Sequence, residues 1–324
     1  MSRYMIAPFA WLVRMPYLAP ADKETMGNPK AVFIDRRCVV RHEWRVKGKQ
    51  FGGLRNLLKK ARGSWRFLLI FIQGLNMRAI VTGHSRGLGA AIVAELLLRT
   101  VPVLGISRAR NTELEGRFPV ALQQCELDLA DIGSVERWLA GTTIADVLCE
   151  DEEVILVNNA GTVQPVGPLH AQDIAAIGRA VTLNVATPMM LAGAIASAAC
   201  RDRKRARILH ISSGAARSAI SGWSTYCATK AALDHHARTV AEDGHSAIRI
   251  CSLAPGVIDT DMQAEIRATP VEQFPLREHF QALKQDGGLS SAEECARHLV
   301  DYLLSDAFGS DPVADLREVA AQRT

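Results

Sequence analysis

From residue 78 onward, short apolar runs alternate with longer segments in which apolar residues recur at helical spacing. This alternation is typical of a parallel sheet with helices on both faces, because parallel neighbours need a crossover connection. The apolar runs predict strands at 78–82, 101–106, 122–127, 154–157, 208–212, 248–253 and 313–316. The helical spacing predicts helices at 88–98, 132–140, 174–199, 226–241 and 291–304. We therefore expect an α/β fold: a single doubly wound domain over residues 77–324, with a parallel sheet of about seven strands.

The first 76 residues lack this pattern and differ in charge. They carry 15 Lys and Arg against 4 Asp and Glu, whereas the other 248 residues carry 23 and 30. We expect residues 1–76 to be a basic, poorly structured N-terminal extension, disordered or absent from the native protein. Three interpretations are open: a targeting segment, a membrane- or partner-binding arm that uses residues 65–75, and upstream sequence ahead of a true start at Met77. The third is favoured, because every recognisable motif follows Met77.

Composition and cysteine content narrow the class of protein. Hydrophobic residues make up 48% and charged residues 22% of the chain, which is typical of a globular protein, and no long apolar run implies a transmembrane helix. Seven cysteines without a CxxC pair argue against a disulfide framework or a metal site. We therefore expect a cytoplasmic protein with no metal, no nucleic-acid partner and no membrane partner. The basic run at 201–207 is interpreted as a solvated loop.

The segment TGHSRGLG (82–89) joins the first predicted strand to the first predicted helix. Glycines permit a sharp turn and a close approach of the backbone to a ligand, and a helix N-terminus presents free N–H groups to a phosphate. The spacing is GxxxGxG rather than GxGxxG, and a glycine-rich turn without a ligand is the alternative. The predicted cofactor-binding residues of this loop are Gly83, Ser85, Arg86, Gly87, Leu88 and Gly89.

The end of the second predicted strand bears on the choice of cofactor. A carboxylate that binds the ribose of NAD is expected there, but the strand ends in Gly105-Ile106-Ser107-Arg108. Arg108 is suited to a 2′-phosphate, and Arg86 adds a second positive charge nearby. The sequence therefore predicts NADP(H) rather than NAD(H), although a solvated surface arginine is the alternative for Arg108.

Tyr226-Cys227-Ala228-Thr229-Lys230 has the spacing YxxxK, which places Tyr226 and Lys230 on one face of a helix. A neighbouring ammonium favours the phenolate and lowers the pKa of a tyrosine, which is ordinarily near 10. Such a pair can exchange a proton with a carbonyl or alcohol oxygen. Ser213 follows a predicted strand, and its position thirteen residues before Tyr226 favours it over Ser212 as the hydroxyl that meets the substrate oxygen. Only one of the two serines can face the site, because adjacent strand residues point to opposite sides.

The ordered set of motifs resembles the short-chain dehydrogenase/reductase family over about residues 78–317. The set comprises TGHSRGLG (82–89), Asp128, NNAG (158–161), Asn184, Ser213, YCATK (226–230) and PGVIDT (255–260). The segment PGVIDTDMQ and the C-terminal end, which lacks the family's common GxxxxxDGG pattern, resemble the subgroup of sepiapterin reductase and bacterial benzil reductases. That subgroup reduces α-dicarbonyl or side-chain carbonyl groups with NADPH.

The resemblance implies a Rossmann domain and four catalytic residues. Tyr226 would be the general acid in reduction and the base in oxidation, and Lys230 would lower its pKa and bind the nicotinamide ribose. Ser213 would orient the substrate oxygen, and Asn184 would hold a water of a proton relay. Asp315 is expected either to reach the substrate pocket or to be a solvated acid at the end of a strand.

The resemblance also implies cofactor contacts outside the glycine loop. Asp128 and Leu129 would lie near the adenine. Asn158, Ala160 and Gly161 would pack against the cofactor, with Asn158 also stabilising the sheet. The nicotinamide carboxamide would be held by Pro255, Gly256, Val257 and Thr260. Residues 258–288 would cover the substrate and form a partly apolar pocket.

We thus expect an NADPH-dependent enzyme that reduces a small-molecule ketone or α-dicarbonyl to an alcohol by hydride transfer. A non-catalytic NADP(H)-binding sensor or scaffold is the alternative, disfavoured because the tyrosine and lysine are both present. The family implies a homodimer or homotetramer formed through the helices predicted at 174–199 and 226–241.

Overall fold

The computed structural model describes residues 77–148 and 151–321, together with two short strands before them. The chain divides into two compact units, Met1–Leu68 and Leu69–Thr324. In the first unit, β1 (Trp44–Val46) pairs with β2 (Lys49–Phe51) in antiparallel fashion, with Trp44 opposite Phe51. This strand pair was not predicted. The rest of the N-terminal extension lies outside the described residues, so the interpretations of residues 1–76 stay predictions.

The second unit is built on a seven-stranded sheet in which every pairing is parallel. Its strands are β3 (Met77–Thr82), β4 (Val103–Ser107), β5 (Leu122–Glu126), β6 (Glu153–Asn158), β7 (Arg205–Ile211), β8 (Ile248–Ala254) and β9 (Val313–Asp315). Their order is β5-β4-β3-β6-β7-β8-β9. The predicted doubly wound parallel sheet is confirmed. The strand order reverses between β3 and β6, which is where ligands bind in open α/β sheets, outside the carboxyl ends of the strands.

All five predicted helices are present, and the described residues contain further short ones. The helices are α1 (Gly87–Leu98), α2 (Thr112–Arg117), α3 (Ile132–Leu139), α4 (Thr143–Leu148), α5 (Ile174–Val181), α6 (Thr187–Arg201), α7 (Ser224–Glu242), α8 (Asp261–Ala268), α9 (Arg277–Gln285), α10 (Ala292–Leu304) and α11 (Leu316–Ala321). The helix predicted at 174–199 is α5 and α6 joined by a π-helical turn, Thr182–Ala186.

Two apolar layers cover the sheet, because successive residues of a strand point to opposite faces. Ile80 of β3 belongs to the layer that also contains Ile195 of α6. Val81, the next residue, belongs to the opposite layer with Ile92 of α1 and Leu299 of α10. Because both faces are buried, the strands appear in the sequence as continuous apolar runs, which is why the sequence pattern predicts them.

The basic run at 201–207 was wrongly interpreted as a wholly solvated loop. Its last residue, Arg207, lies within β7 and is 7% exposed. Its Nε lies 2.9 Å from a carboxylate oxygen of Glu153 on β6, and its Nη1 donates to the carbonyl oxygens of Leu303 and Ser305. The arginine therefore ties the central sheet to the end of α10.

The helical run Ile174–Arg201 is, by length and composition, the one candidate membrane span among the described residues, with a mean hydropathy of 1.5 over its most apolar 18-residue window. Leu191 and Ile195 on its inner face are buried against the sheet. A core helix of a globular domain meets the same criterion, and packing against the sheet accounts for the apolar residues of the inner face.

Candidate active site

A cavity of about 1080 Å³ lies at the carboxyl ends of the strands. Its volume is slightly above the range of about 300–1,000 Å³ that is usual for small-molecule sites. The predicted site residues that line it are Gly83, Ser85, Arg86, Gly87, Leu88, Gly89, Arg108, Asp128, Leu129, Ala160, Gly161, Ser213, Tyr226, Lys230, Pro255, Gly256, Val257 and Thr260. Asn158 and Asn184 do not. The structure thus brings the predicted cofactor loop and the predicted catalytic pair together in one cavity.

The glycine loop has the backbone conformation that its sequence requires. Gly83 and Gly87 have φ values of +70° and +56°, which L-residues with a side chain rarely adopt. A Cβ at Gly89 would overlap the carbonyl oxygen of Gly83. Helix α1 begins at Gly87, and Arg86 at its N-cap makes no side-chain capping bond. A helix N-terminus without a side-chain cap, approached by glycines, fits an anionic group such as a dinucleotide phosphate.

Three arginines line the cavity near this loop: Arg86, Arg108 and Arg110. Arg110 is paired with Glu115 over 2.5 Å, and Arg86 with Asp261 over 3.0 Å. Arg108 is exposed at the end of β4 and has no ion-pair partner in the described part of the chain. It is therefore the cation of the three that is free to pair with a ligand.

Tyr226 and Lys230 lie on the inner face of α7, and both are buried. The Nζ atom of Lys230 donates to the carbonyl oxygen of Ile211, at the end of β7, over 2.8 Å. Ser213 caps a short 3₁₀ turn, where its hydroxyl accepts a hydrogen bond from the Ala215 N–H. The spacing of four between Tyr226 and Lys230 thus places both side chains against one strand end.

The electrostatics differ from the sequence-based expectation. Burial raises the pKa of Tyr226 above its ordinary value, and a hydrogen bond with Ser213 acts in the opposite direction. Burial also lowers the pKa of Lys230 to about 8, against the charge of Asp234, which raises it. The expected lowering of the tyrosine pKa by Lys230 is therefore not found in this structure, because desolvation of the phenolate dominates.

Asn184 lies in the π-helical turn and is 1% exposed. Its Oδ1 accepts from the N–H of Thr162 over 2.9 Å, and its Nδ2 donates to the carbonyl oxygen of Thr162 over 2.8 Å and to Thr229 Oγ1 over 3.2 Å. The side chain therefore ties the loop after β6 to α7. A Cβ at Gly161 would lie 3.3 Å from Asn184 Oδ1 and 3.6 Å from Lys230 Nζ, so these two groups flank Gly161.

The predicted cofactor contact of Asn158 is corrected by the structure. Its Nδ2 lies 3.2 Å from the Pro188 carbonyl oxygen and 3.1 Å from His210 Nδ1, so the side chain faces α6 and β7. The next residue, Asn159, lines the cavity instead and donates to the carbonyl oxygens of Thr82 and Gly83. The alternation of side chains along a strand offered the signal that could have separated these two asparagines.

Several lining residues were not singled out from the sequence. They include Thr162, Arg179, Ile220, Trp223, Gln263 and Arg317. Asp315 also lines the cavity but is buried, and both of its carboxylate oxygens accept hydrogen bonds from Arg317, over 2.9 and 2.7 Å. The interpretation of Asp315 as a solvated acid is therefore wrong.

The end of the cavity near Tyr226 is largely apolar. Met262, Ile266 and Phe280, from the predicted covering segment, line it. Trp223 also lines it and stacks on the fully buried Phe274, with ring centroids 4.7 Å apart. This surface suits a substrate that carries apolar or aromatic groups beside its reacting atoms.

Known proteins that resemble this chain in sequence are dehydrogenases and reductases, which is consistent with the geometry of the site. The sequence pattern of the family described as short chain dehydrogenase matches residues 77–271. Benzil reductase ((S)-benzoin forming) of Bacillus cereus is 33% identical over 250 residues, which cover 74% of this chain and 98% of that protein. Sepiapterin reductase of Mus musculus is 31% identical over 249 residues, 73% of this chain and 95% of that protein.

A solved structure of a protein with this type of name also resembles the chain. A short-chain dehydrogenase/reductase from Burkholderia vietnamiensis has 47% sequence identity and a TM-score of 0.55, and the match covers 76% of this chain and 99% of that one. The family pattern spans more than half of the chain, and the relatives match along nearly their whole length. The chain therefore belongs to the short-chain dehydrogenase/reductase family of oxidoreductases, in the subgroup that resembles benzil and sepiapterin reductases.

Proposed function

We propose that this chain is an NADPH-dependent reductase that converts a ketone or α-dicarbonyl of a small molecule to an alcohol. One observation carries the proposal: a single cavity joins the glycine loop at one end to the buried pair Tyr226 and Lys230 at the other. The names of the relatives, benzil reductase and sepiapterin reductase, support carbonyl reduction.

The preference for NADPH rests on Arg108. It lines the cavity just after β4, where an acidic residue would repel a 2′-phosphate. A guanidinium offers planar, paired donors to phosphate oxygens. Arg86, in the glycine loop, would add positive charge to the same region if the cofactor displaced its partner Asp261.

When bound, NADPH supplies the hydride, and the protein supplies position and the proton. Because burial raises the pKa of Tyr226, its phenol is protonated at neutral pH and is suited to donate a proton to the carbonyl oxygen. The Ser213 hydroxyl would hydrogen-bond the same oxygen. Lys230, one turn along α7, would stabilise the tyrosinate that remains after the proton is transferred.

Asn184 and Gly161 would maintain this arrangement. Because the Asn184 side chain holds Thr162 on both its N–H and its carbonyl oxygen, it fixes the loop that passes over Lys230. A Cβ at Gly161 would lie 3.3 Å from Asn184 Oδ1, so a side chain there would require a small shift of the loop or of Asn184. In this proposal Asn184 also keeps the role in proton replenishment that the family resemblance implies.

Assembly into a homodimer or homotetramer is part of the proposal. The run formed by α5 and α6 carries exposed apolar side chains, among them Ile174, which is 85% exposed, and Val181, which is 44% exposed. Light scattering on the purified protein would determine the oligomeric state; a monomer at all concentrations would contradict this part.

A substrate panel tests the activity directly. We expect NADPH oxidation with benzil or another aromatic 1,2-diketone, slower oxidation with a simple monoketone, and sepiapterin as a further candidate. The fall in NADPH absorbance measures turnover, and calorimetry measures NADPH binding separately. Tight NADPH binding without turnover on any dicarbonyl, quinone or pterin would overturn the proposal and favour a non-catalytic sensor.

A further inference from the structure

A buried carboxylate, Asp234, lies one turn beyond Lys230 on α7 and has no assigned role. It is 2% exposed and does not line the cavity. Its Oδ1 accepts hydrogen bonds from the hydroxyls of Ser212, over 2.6 Å, and Ser252, over 2.8 Å. The Nε of Arg217 lies 3.4 Å from Oδ2. A carboxylate is costly to bury, so a network of donors around it indicates a defined function for its charge or its geometry.

The last residue of β7 and the two residues that follow it each contact one residue of α7. Ile211 accepts a hydrogen bond from Lys230 through its carbonyl oxygen, Ser212 donates to Asp234, and Ser213 interacts with Tyr226. The three α7 residues are spaced by four, so they share one face of the helix. Asp234 therefore fixes Ser212, the middle residue of the tripeptide 211–213. The residues on either side of Ser212 contact Lys230 and Tyr226, the proposed catalytic pair.

The carboxylate also bears on the charge of Lys230. Burial lowers the pKa of Lys230 to about 8, and the charge of Asp234 acts in the opposite direction. Asp234 thus offsets part of the desolvation that would otherwise remove the ammonium proton.

Other ionisable groups lie near this pair: Tyr226 and His210 near Lys230, and Cys251 and Arg217 near Asp234. His236 lies behind His210, and Asp315 lies near Arg217. Burial lowers the pKa of His210 to about 3 and raises that of Cys251 to about 12, so both are uncharged at neutral pH. Arg217 contacts Asp234 and also donates to the Ala314 carbonyl oxygen on β9. Its positive charge opposes the effect of Asp234.

We propose that Asp234 is a positioning residue of the active site, which fixes the strand end bearing Ser213 and keeps Lys230 in its ammonium form. The proposal rests on the reductase function proposed above. Asp234 acts through Ser212 and Lys230 and does not contact the substrate or cofactor. Ser212, which was set aside in favour of Ser213, becomes the link between the carboxylate and the strand end.

Asp234→Asn tests the charge, because asparagine retains the shape and one oxygen acceptor. We expect the alkaline limb of kcat/KM for reduction to move about one pH unit lower, the usual size of a neighbouring-charge effect. At pH values above the limb, kcat/KM should therefore fall about tenfold. At pH values below the limb, where Lys230 is still an ammonium, the KM for NADPH should not change, because Asp234 itself is outside the cavity. Ser252→Ala is the matched control: it removes a hydrogen bond to the same oxygen but leaves the charge, so the alkaline limb should stay in place.

Arg217→Gln is a second variant, for which we expect the alkaline limb to move in the opposite direction. It removes the cation beside Asp234 at a partly exposed position, so the alkaline limb should move to higher pH even if Asp234→Asn fails to fold. Side-chain nitrogen NMR of the lysines gives the titration of Lys230 without any turnover. A Lys230 titration unmoved in the folded variants, or moved the same way in both, would overturn the inference. Absence of turnover in the wild-type protein would count against the proposed function alone.

Discussion

The Lys230 ammonium lies 5.7 Å from the centre of the Tyr226 ring, one helical turn away along α7. At this distance a cation interacts with the π face of the ring. The Lys230 ammonium donates its hydrogen bond to the carbonyl oxygen of Ile211 rather than to the Tyr226 phenol. The pKa values of these two neighbours are therefore shifted in opposite directions. Burial raises the pKa of the Tyr226 phenol, which stays protonated, and lowers the pKa of Lys230 to about 8.

Tyr226→Phe should abolish carbonyl reduction while leaving NADPH binding intact. The variant removes the proposed proton donor but keeps the ring that packs against Trp223, with which Tyr226 makes an edge contact at 5.3 Å. General acid catalysis commonly contributes about 10²–10⁴-fold, so kcat should fall by at least that range. Steady-state kinetics and calorimetry with NADPH measure the two properties. Tyr302→Phe, at a buried tyrosine outside the cavity, is the control, and turnover retained by the Tyr226 variant would contradict the mechanism.

The rate of reduction should fall as the pH rises through about 8. Because burial lowers the pKa of Lys230 to about 8, the ammonium is present below this pH and lost above it. The phenol of Tyr226 stays protonated over the same range, because burial raises its pKa. The profile of kcat/KM against pH measures the limb, which belongs to the free enzyme. In Lys230→Arg, which stays charged, the limb should vanish; a limb that persists there would have another origin.

The sequence was sufficient for the strands, the glycine loop and the tyrosine–lysine pair, because each depends on local spacing. It was not sufficient for polar groups whose partners are distant along the chain. Arg207 resembles any arginine of a basic run, and its burial depends on Glu153 in the neighbouring strand. Asp234 likewise looks like a polar position on a helix, and only the fold places Ser212 and Ser252 beside it.

The sequence was also not sufficient to predict that the pKa of Tyr226 is raised rather than lowered. Spacing alone places the ammonium of Lys230 near the phenol and predicts a lowered pKa. Burial raises the pKa instead, and the degree of burial depends on Trp223 and the segment that contains Phe274, which pack together with Tyr226.

The sequence also did not predict the π turn that interrupts the long helix. The apolar period of residues 174–199 continues through Asn184, so the sequence pattern shows no break there.

Arg108→Ala should reduce the proposed preference for NADPH over NADH. A charge-assisted hydrogen bond contributes about 1.5–3 kcal/mol, so the KM for NADPH should rise by about 10- to 160-fold, while that for NADH changes little. Arg110→Ala is the matched control, since Arg110 lines the same cavity but is already paired with Glu115. Kinetics with each cofactor below saturation measure the ratio. An equal loss with both cofactors would show that Arg108 acts on the fold and does not bind a 2′-phosphate.

Alanine at two glycines should have opposite effects. In Gly89→Ala the new Cβ would overlap the Gly83 carbonyl oxygen, which also accepts a hydrogen bond from Asn159. We expect a loss of about 1–3 kcal/mol of stability, the usual cost of overpacking, and weaker NADPH binding. Gly178 lies inside α5, where a Cβ would meet open space among the described residues, so Gly178→Ala should stabilise the protein by up to about 1 kcal/mol, the difference in helix propensity. Thermal unfolding with and without NADPH separates the two effects. If Gly89→Ala melted like the wild-type protein and still gained stability from NADPH, the close approach at the phosphate loop would not be needed for cofactor binding.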